Sequence, residues 1–166
     1  IDPDVVTRLA VEKEDENWQF RSFIRWSKLS RARLNQLAEQ FGKQAEAQMD
    51  CTTCGACCRD NCIPLSADEQ ARLAQHVGLS EQAFAAEYMT TDDDGEPAMM
   101  ARPCRFLDGT RCSVYEDRPE ACRGYPYIGG DIPTRTFDML ERAATCPIVF
   151  EMLEQLKAAL RFRPFR

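Results

Sequence analysis

Residues 51–58 read CTTCGACC, which puts four thiols into eight positions and makes the last two, Cys57 and Cys58, neighbours in the chain. No other stretch limits the fold as strongly, because so dense a group of sulfurs has few uses. It can staple the chain, cycle between thiol and disulfide, or hold a metal ion. The chain carries nine cysteines in 166 residues, an odd number at a density below that of small disulfide scaffolds. A domain of this length buries a sufficient core without bridges. Both facts favour metal ligation in a reducing compartment, the cytoplasm, over a disulfide framework. Joining Cys57 to Cys58 as a vicinal disulfide would strain the backbone.

Thiolate ligation explains the spacing. A C-x-x-C segment lets two sulfurs converge on one ion, and more distant cysteines complete a four-coordinate shell. Cys51, Cys54 and Cys57 are expected to give three convergent sulfurs, with Gly55 allowing a tight backbone path. Cys58 cannot easily face the same way as Cys57, so it serves a second metal, bridges two metals, or stays a thiol. Cys104, Cys112, Cys122 and Cys146 stand singly in different local segments. They bring the set to eight, the number that two tetrahedral sulfur sites require. Cys62 is left over and reads as a small apolar residue.

The single histidine, His76, narrows the chemistry further. Any metal site must be built mainly from thiolates, and a serine–histidine–aspartate hydrolase is excluded as a default. The bacterial ferredoxin run would need a cysteine at position 61, where the sequence has Asn61. A thioredoxin-like C-x-x-C would need a βαβ context that does not surround it. Three close cysteines and a distant one can still hold a [4Fe–4S] cluster, so spacing leaves zinc and iron both open. Arg59, Arg102, Arg105, Arg111, Arg118 and Arg123 lie within a few positions of a cysteine. They are expected to stabilise thiolates, to pair with Asp108, Glu116, Asp117 and Glu120, or both.

The local signals are mostly helical. In the first fifty residues, Trp18, Phe20, Phe23, Ile24 and Trp26 form a broad apolar stripe expected to face the core. Ser30 is expected to cap a helix with Leu34, Leu37, Ala38 and Phe41 on its apolar face. Ser66 and Glu69 fit a capping box for ADEQARLAQHV, which Gly78 should end and whose last turn holds His76. Ser80 should cap a helix through Tyr88, and TTDDDGEP reads as a loop without calcium-ligand spacing. CRFLDGTRCSVY reads as a hairpin turning at Asp108-Gly109, which would bring Cys104 and Cys112 together. It is the only strand signal. Pro119 suits the first turn of a short helix ended by Gly124 and Pro126, and Pro147 opens a last helix along Val149, Met152, Leu153, Leu156 and Leu160. The expected fold is mainly α with a small β-hairpin, a cysteine-rich, metal-stabilised single domain. Residues 1–50 form a helical segment packing on the core, and residues 51–166 form the cysteine-cluster domain, the two making one unit.

Three stretches together resemble a known family: CTTCGACC with the following IPLSADEQARLA, then PCRFLDGTRCSVYEDRPEACRGYP, then CPIVFEMLEQLK. They look like the YkgJ-type cysteine-cluster proteins, described as a zinc- or iron-chelating domain and related to the cysteine-cluster part of flagellin lysine N-methylases. The resemblance covers roughly residues 51–157, and the lead-in ENWQFRSF is similar to one subgroup. It implies metal ligation by Cys51, Cys54, Cys57, Cys58, Cys104, Cys112, Cys122 and Cys146. Arg118-Pro119 and Arg123 match further motif positions, and Cys62 departs from the pattern.

The leading expectation is therefore a protein that coordinates zinc or iron, including a [4Fe–4S] cluster among the forms of iron. One alternative is an iron–sulfur redox protein or a methyltransferase-like enzyme, although no Gly-rich nucleotide loop is present. Another is a metal-stabilised adaptor. The net charge of −6 argues against nucleic acid, and the apolar runs are too short for a membrane span. Charge is unevenly spread, however: residues 17–45 carry six basic side chains against the single acid Glu39. Arg21, Arg25, Lys28, Arg31 and Arg33 form a basic face that is either solvated or meets an acidic protein partner.

Overall fold

In the computed structural model, which describes residues 2–60, 62–92, 94–99 and 102–165, each long helix starts on a device written into its sequence. Asp2 caps α1 (Pro3–Glu12), its carboxylate accepting from the Asp4 amide at 2.9 Å, while Pro3 presets φ of the first turn. α2 (Glu14–Trp26) sets three acids against its positive end. Ser30 caps α3 (Arg31–Glu46) by accepting from the Arg33 amide at 3.2 Å. The cysteine stretch forms two short turns, α4 (Cys51–Cys54) and α5 (Ala56–Asp60), parted by Gly55 at φ +64°. After β1 (Ile63–Pro64), the Ser66–Glu69 capping box opens α6 (Ala67–Val77), which ends at a left-handed Gly78. Ser80 caps α7 (Glu81–Tyr88). Then come β2 (Thr90–Thr91), β3 (Pro97–Met99), β4 (Leu107–Asp108), β5 (Arg111–Cys112), a 3-10 turn at Tyr115–Asp117 and α8 (Glu120–Gly124). The last two elements, α9 (Ile132–Ala143) and α10 (Pro147–Ala159), both carry proline in the first turn.

The fold is mainly helical with small antiparallel sheets, as expected, and differs from expectation in four places. Besides the β4–β5 hairpin there is a second sheet of order β1-β3-β2, pairing Ile63 with Met99 and Thr90 with Ala98. Part of TTDDDGEP therefore belongs to a strand, and the Asp92 carboxylate organises the turn by accepting from the Asp94 and Glu96 amides. Asp108 pairs with Arg111 in the ladder, so the two-residue hairpin turn is Gly109-Thr110, with Gly109 at φ +61°. The sequence reading passed over α9 entirely. Finally, the apolar stripe of α2 is narrower than expected: Phe20 and Ile24 are buried, but Trp18 is 42% and Trp26 85% exposed.

The chain divides into two compact units. One contains α1, α2, α3, α9 and α10. Here α10 packs on α3, α9 and α1, and α2 packs on α9. Phe20, Ile24, Leu34, Met152, Leu153 and Leu156 are fully buried in its core. The other unit, Cys51–Tyr125, holds both sheets and the helices α4 to α8.

The first unit buries one cation. Lys157 is 5% exposed, and its ammonium donates to Glu16 Oε1 at 2.9 Å, Asn17 Oδ1 at 2.5 Å and Glu154 Oε1 at 2.7 Å. All three ammonium donors are thus used, which is what makes a buried lysine tolerable. Lys13 also pairs with Glu154. Burial pushes the Glu154 carboxyl up, but the hydrogen bonds and charges of Lys13 and Lys157 outweigh it and hold the group below its usual 4.5. Because the folded value lies below the unfolded one, this contribution to stability is present above about pH 4.5 and is lost as pH falls through the folded value. Thermal melting of wild type and Glu154→Gln from about pH 7 to about pH 3 checks this: the gap in Tm between them should close with falling pH. A gap that does not change with pH would contradict it.

Candidate metal centre

The C-x-x-C-x-x-C-C stretch is laid along the β4–β5 hairpin. α4 packs on β5, and the Cys104 amide donates to the Cys58 carbonyl at 2.7 Å. Gly55 makes the close approach possible. A side chain there would meet the Thr110 Cα and carbonyl oxygen, both at 3.2 Å, on a backbone already at φ +64°. Glycine thus satisfies a steric and a conformational demand at once.

This docking gathers four sulfurs on the apolar core of their unit. Cys104 is buried among Ile63, Leu73, Phe84, Met99 and Phe106, and Cys58, Cys112 and Cys122 pack against the same cluster. They arrive from different elements: Cys58 from α5, Cys104 and Cys112 from either side of the hairpin, Cys122 from α8. The Phe106 amide donates to the Cys104 sulfur and the Val114 amide to the Cys112 sulfur. Each donor lies two residues beyond its cysteine, and such bonds favour the thiolate over the thiol. Backbone donors leave no signature in side-chain sequence, so sequence reading could not have named them.

The four sulfurs act on one another electrically. The Cys57 side chain hydrogen-bonds Cys58 and, against the upward push of burial and with help from Arg59, lowers the Cys58 thiol to about 7. Burial pushes the other three up, and the charge of Cys58 adds to that push in each case. Burial first, and then Cys58, Cys104 and Cys112 together, drive Cys122 to about 12, with Arg118 opposing. One anion is thus easily formed, and each further thiolate costs more. A cation among them reverses that order, because its charge offsets the repulsion. The four sulfurs on this apolar cluster, with amide donors and guanidinium neighbours, are of the donor type that zinc and iron prefer.

The remaining expected ligands are placed otherwise. Cys51 is exposed, and Cys54 and Cys57 are half-buried in the α4 and α5 turns. Among the described residues, neither these cysteines nor the four on the apolar cluster form a ready-made metal-holding group of three Cys, His, Asp or Glu side chains. Cys51 and Cys54 lie at the two ends of α4 and Cys57 in α5, with Gly55 between the two turns. Cys146 is buried at the start of α10 and belongs to the other unit. Cys62 is half-buried rather than a core residue.

Of the arginines near cysteines, Arg59 acts on Cys58, and Arg118 acts on Cys112 and Cys122. Arg118 is held over the Tyr115 ring at 3.7 Å. Arg105 pairs instead with Glu87 at 3.1 Å, and Arg123 donates to the carbonyls of Arg118 and Glu116. His76 lies 2.9 Å from Asp117 through Nδ1, which gives it a local carboxylate partner at the end of α6.

Residues 50–147, more than half of the chain, match the family model "CxxCxxCC: Putative zinc- or iron-chelating domain". The matched region contains all eight cysteines expected as ligands. No curated protein and no solved structure matches the chain. The docking of 51–58 on the hairpin can be tested at Gly55. Gly55→Ala should destabilise the folded protein by roughly 1–3 kcal/mol in denaturant unfolding, from backbone strain and the clash with Thr110. Stability within error of wild type would show that the stretch is not held in this way.

Proposed function

Since the chain belongs to the CxxCxxCC family, we propose that it is a metal-binding protein in which Cys58, Cys104, Cys112 and Cys122 hold one zinc or iron centre as thiolates. Family membership supports binding of a metal ion in general. The single observation that supports this ligand choice is the nest of four mutually interacting sulfurs on one apolar cluster. Cys51, Cys54, Cys57 and Cys146 remain proposed ligands outside that four-sulfur centre.

The bound cation would supply the positive charge that lets several thiolates coexist. The chain's own residues do the rest. The Phe106 and Val114 amides orient and stabilise the Cys104 and Cys112 sulfurs, Arg59 and Arg118 offset negative charge, and the apolar cluster restricts water. Zinc in this set would be structural, closing a four-sulfur shell and adding directly to folding free energy. Iron, alone or as a [4Fe–4S] cluster, would use the same thiolates and give a redox-active protein. A reducing compartment, the cytoplasm, suits either form.

Metal quantification on anaerobically purified protein tests the reading, with visible absorption to separate the two metals. Wild type should carry at least one zinc or iron per chain, and Cys58→Ser, Cys104→Ser, Cys112→Ser and Cys122→Ser should each lower that content by about one ion. Cys62→Ser should keep it. A folded wild type free of both metals, or equal losses in the Cys62 variant, would overturn the assignment.

A further inference from the structure

The basic side chains of α2 and α3 are not spread evenly over a face. Arg21 and Arg25 from α2, Arg31 at the start of α3, and Pro133 and Thr134 in the first turn of α9 line a cavity of about 430 Å³. Lys28 and Arg33, the other members of the expected basic face, are not among its lining residues, and Arg33 donates to Gln36 at 3.0 Å. All the lining residues belong to the helical unit built from α1–α3, α9 and α10.

The three guanidinium groups are held to different degrees. Arg31 is tied down by its ion pair with Asp131 and lies 3.5 Å from the Thr134 hydroxyl, which donates to the same carboxylate. Arg21 lies 5.6 Å from the centre of the Trp18 ring, and that ring packs on Phe137 at 5.8 Å. The two half-exposed aromatics thereby brace a cation beside the cavity. Arg25 makes no hydrogen bond or ion pair among the described residues. Arg21 and Arg25 are one helical turn apart, so their charges repel at a spacing where like charges destabilise a helix. Nothing on α2 between them offsets this cost.

The charge balance indicates what would. Three guanidiniums and the Asp131 carboxylate leave an excess of two positive charges around the cavity. A phosphate or phosphate monoester carries about −1.5 to −2 near neutral pH and presents three acceptor oxygens. Planar guanidinium forks bind such oxygens in pairs, which a diffuse acidic surface cannot exploit as well. The volume falls in the range of small-molecule pockets. We propose that this arginine-lined cavity binds a small phosphate-bearing molecule, either the free ion or a phosphate monoester. The inference is independent of the metal centre, since it uses none of the cysteines and lies in the other unit.

Titration of the full chain with inorganic phosphate and, separately, with a simple phosphate monoester tests it, at ionic strength held constant with chloride. Calorimetry should show saturable one-to-one binding, and the Thr134 amide resonance should shift with the same midpoint. The double variant Arg21→Gln/Arg25→Gln should weaken binding about tenfold or more. Arg8→Gln/Arg163→Gln, which removes equal charge elsewhere, should leave it unchanged. If the first double variant does not fold, Arg25→Gln alone gives the same reading at a residue with no partner to lose. A lower dissociation constant for the ester would identify the monoester as the better ligand, and the reverse the free ion. Three results would overturn the proposal: no saturable binding of either probe, equal weakening in both double variants, or binding that survives the first variant but disappears when metal is removed.

Discussion

Four sulfurs in one apolar nest repel one another as soon as more than one is ionised, and the cysteine unit is built around that constraint. The backbone of residues 51–58 lies on the hairpin because Gly55 allows it, and the Cys104 amide fixes Cys58 there through its carbonyl. The same contact that shapes the unit thus brings the sulfurs within electrical reach. Of the four, Cys58 becomes the easiest thiol to ionise and Cys122 the hardest. Sulfurs grouped in this way are poorly suited to exist as several bare thiolates, and a cation among them would offset the repulsion. The opening stretch is in this sense divided: Cys58 belongs with three distant cysteines, while its neighbour Cys57 acts on it as a hydrogen-bond partner.

The helical unit treats buried charge differently. Lys157 is taken out of water with three acceptors already in place, so its charge is satisfied within the chain. The arginines around the α2–α3–α9 cavity are only partly satisfied: Arg31 has Asp131, but Arg21 leans on an aromatic ring and Arg25, also in the lining, has no counter-ion among the described residues. Complete pairing in one place and incomplete pairing in the other separate a structural role from a ligand-binding one.

Features encoded by a few adjacent residues were legible in the sequence. Ser30, the Ser66–Glu69 box, Ser80 and Gly78 act within one turn of themselves, so the helices they start or end appeared as expected. The cysteine-cluster family was legible for the same kind of reason, since thiol density needs no tertiary information. α9 was not, partly because its buried face includes Thr136, a polar residue whose hydroxyl is satisfied by the Ile132 carbonyl at 2.8 Å. The β1-β3-β2 sheet escaped because strands of two or three residues are too short to show alternation. Trp26 misled because the last residue of α2 extends the apolar stripe past the surface that packing covers. The grouping of Cys58 with Cys104, Cys112 and Cys122 depends on contacts between segments tens of residues apart, which spacing along the chain does not record.

The most direct test of the central claim is X-ray absorption at the edge of whichever metal the purified protein carries. A centre held by the four cysteines predicts a first shell of about four sulfurs, at about 2.3 Å if the metal is zinc. The sulfur count should drop by one in Cys122→Ser. A first shell dominated by nitrogen and oxygen, or a sulfur shell unchanged by that substitution, would contradict the account.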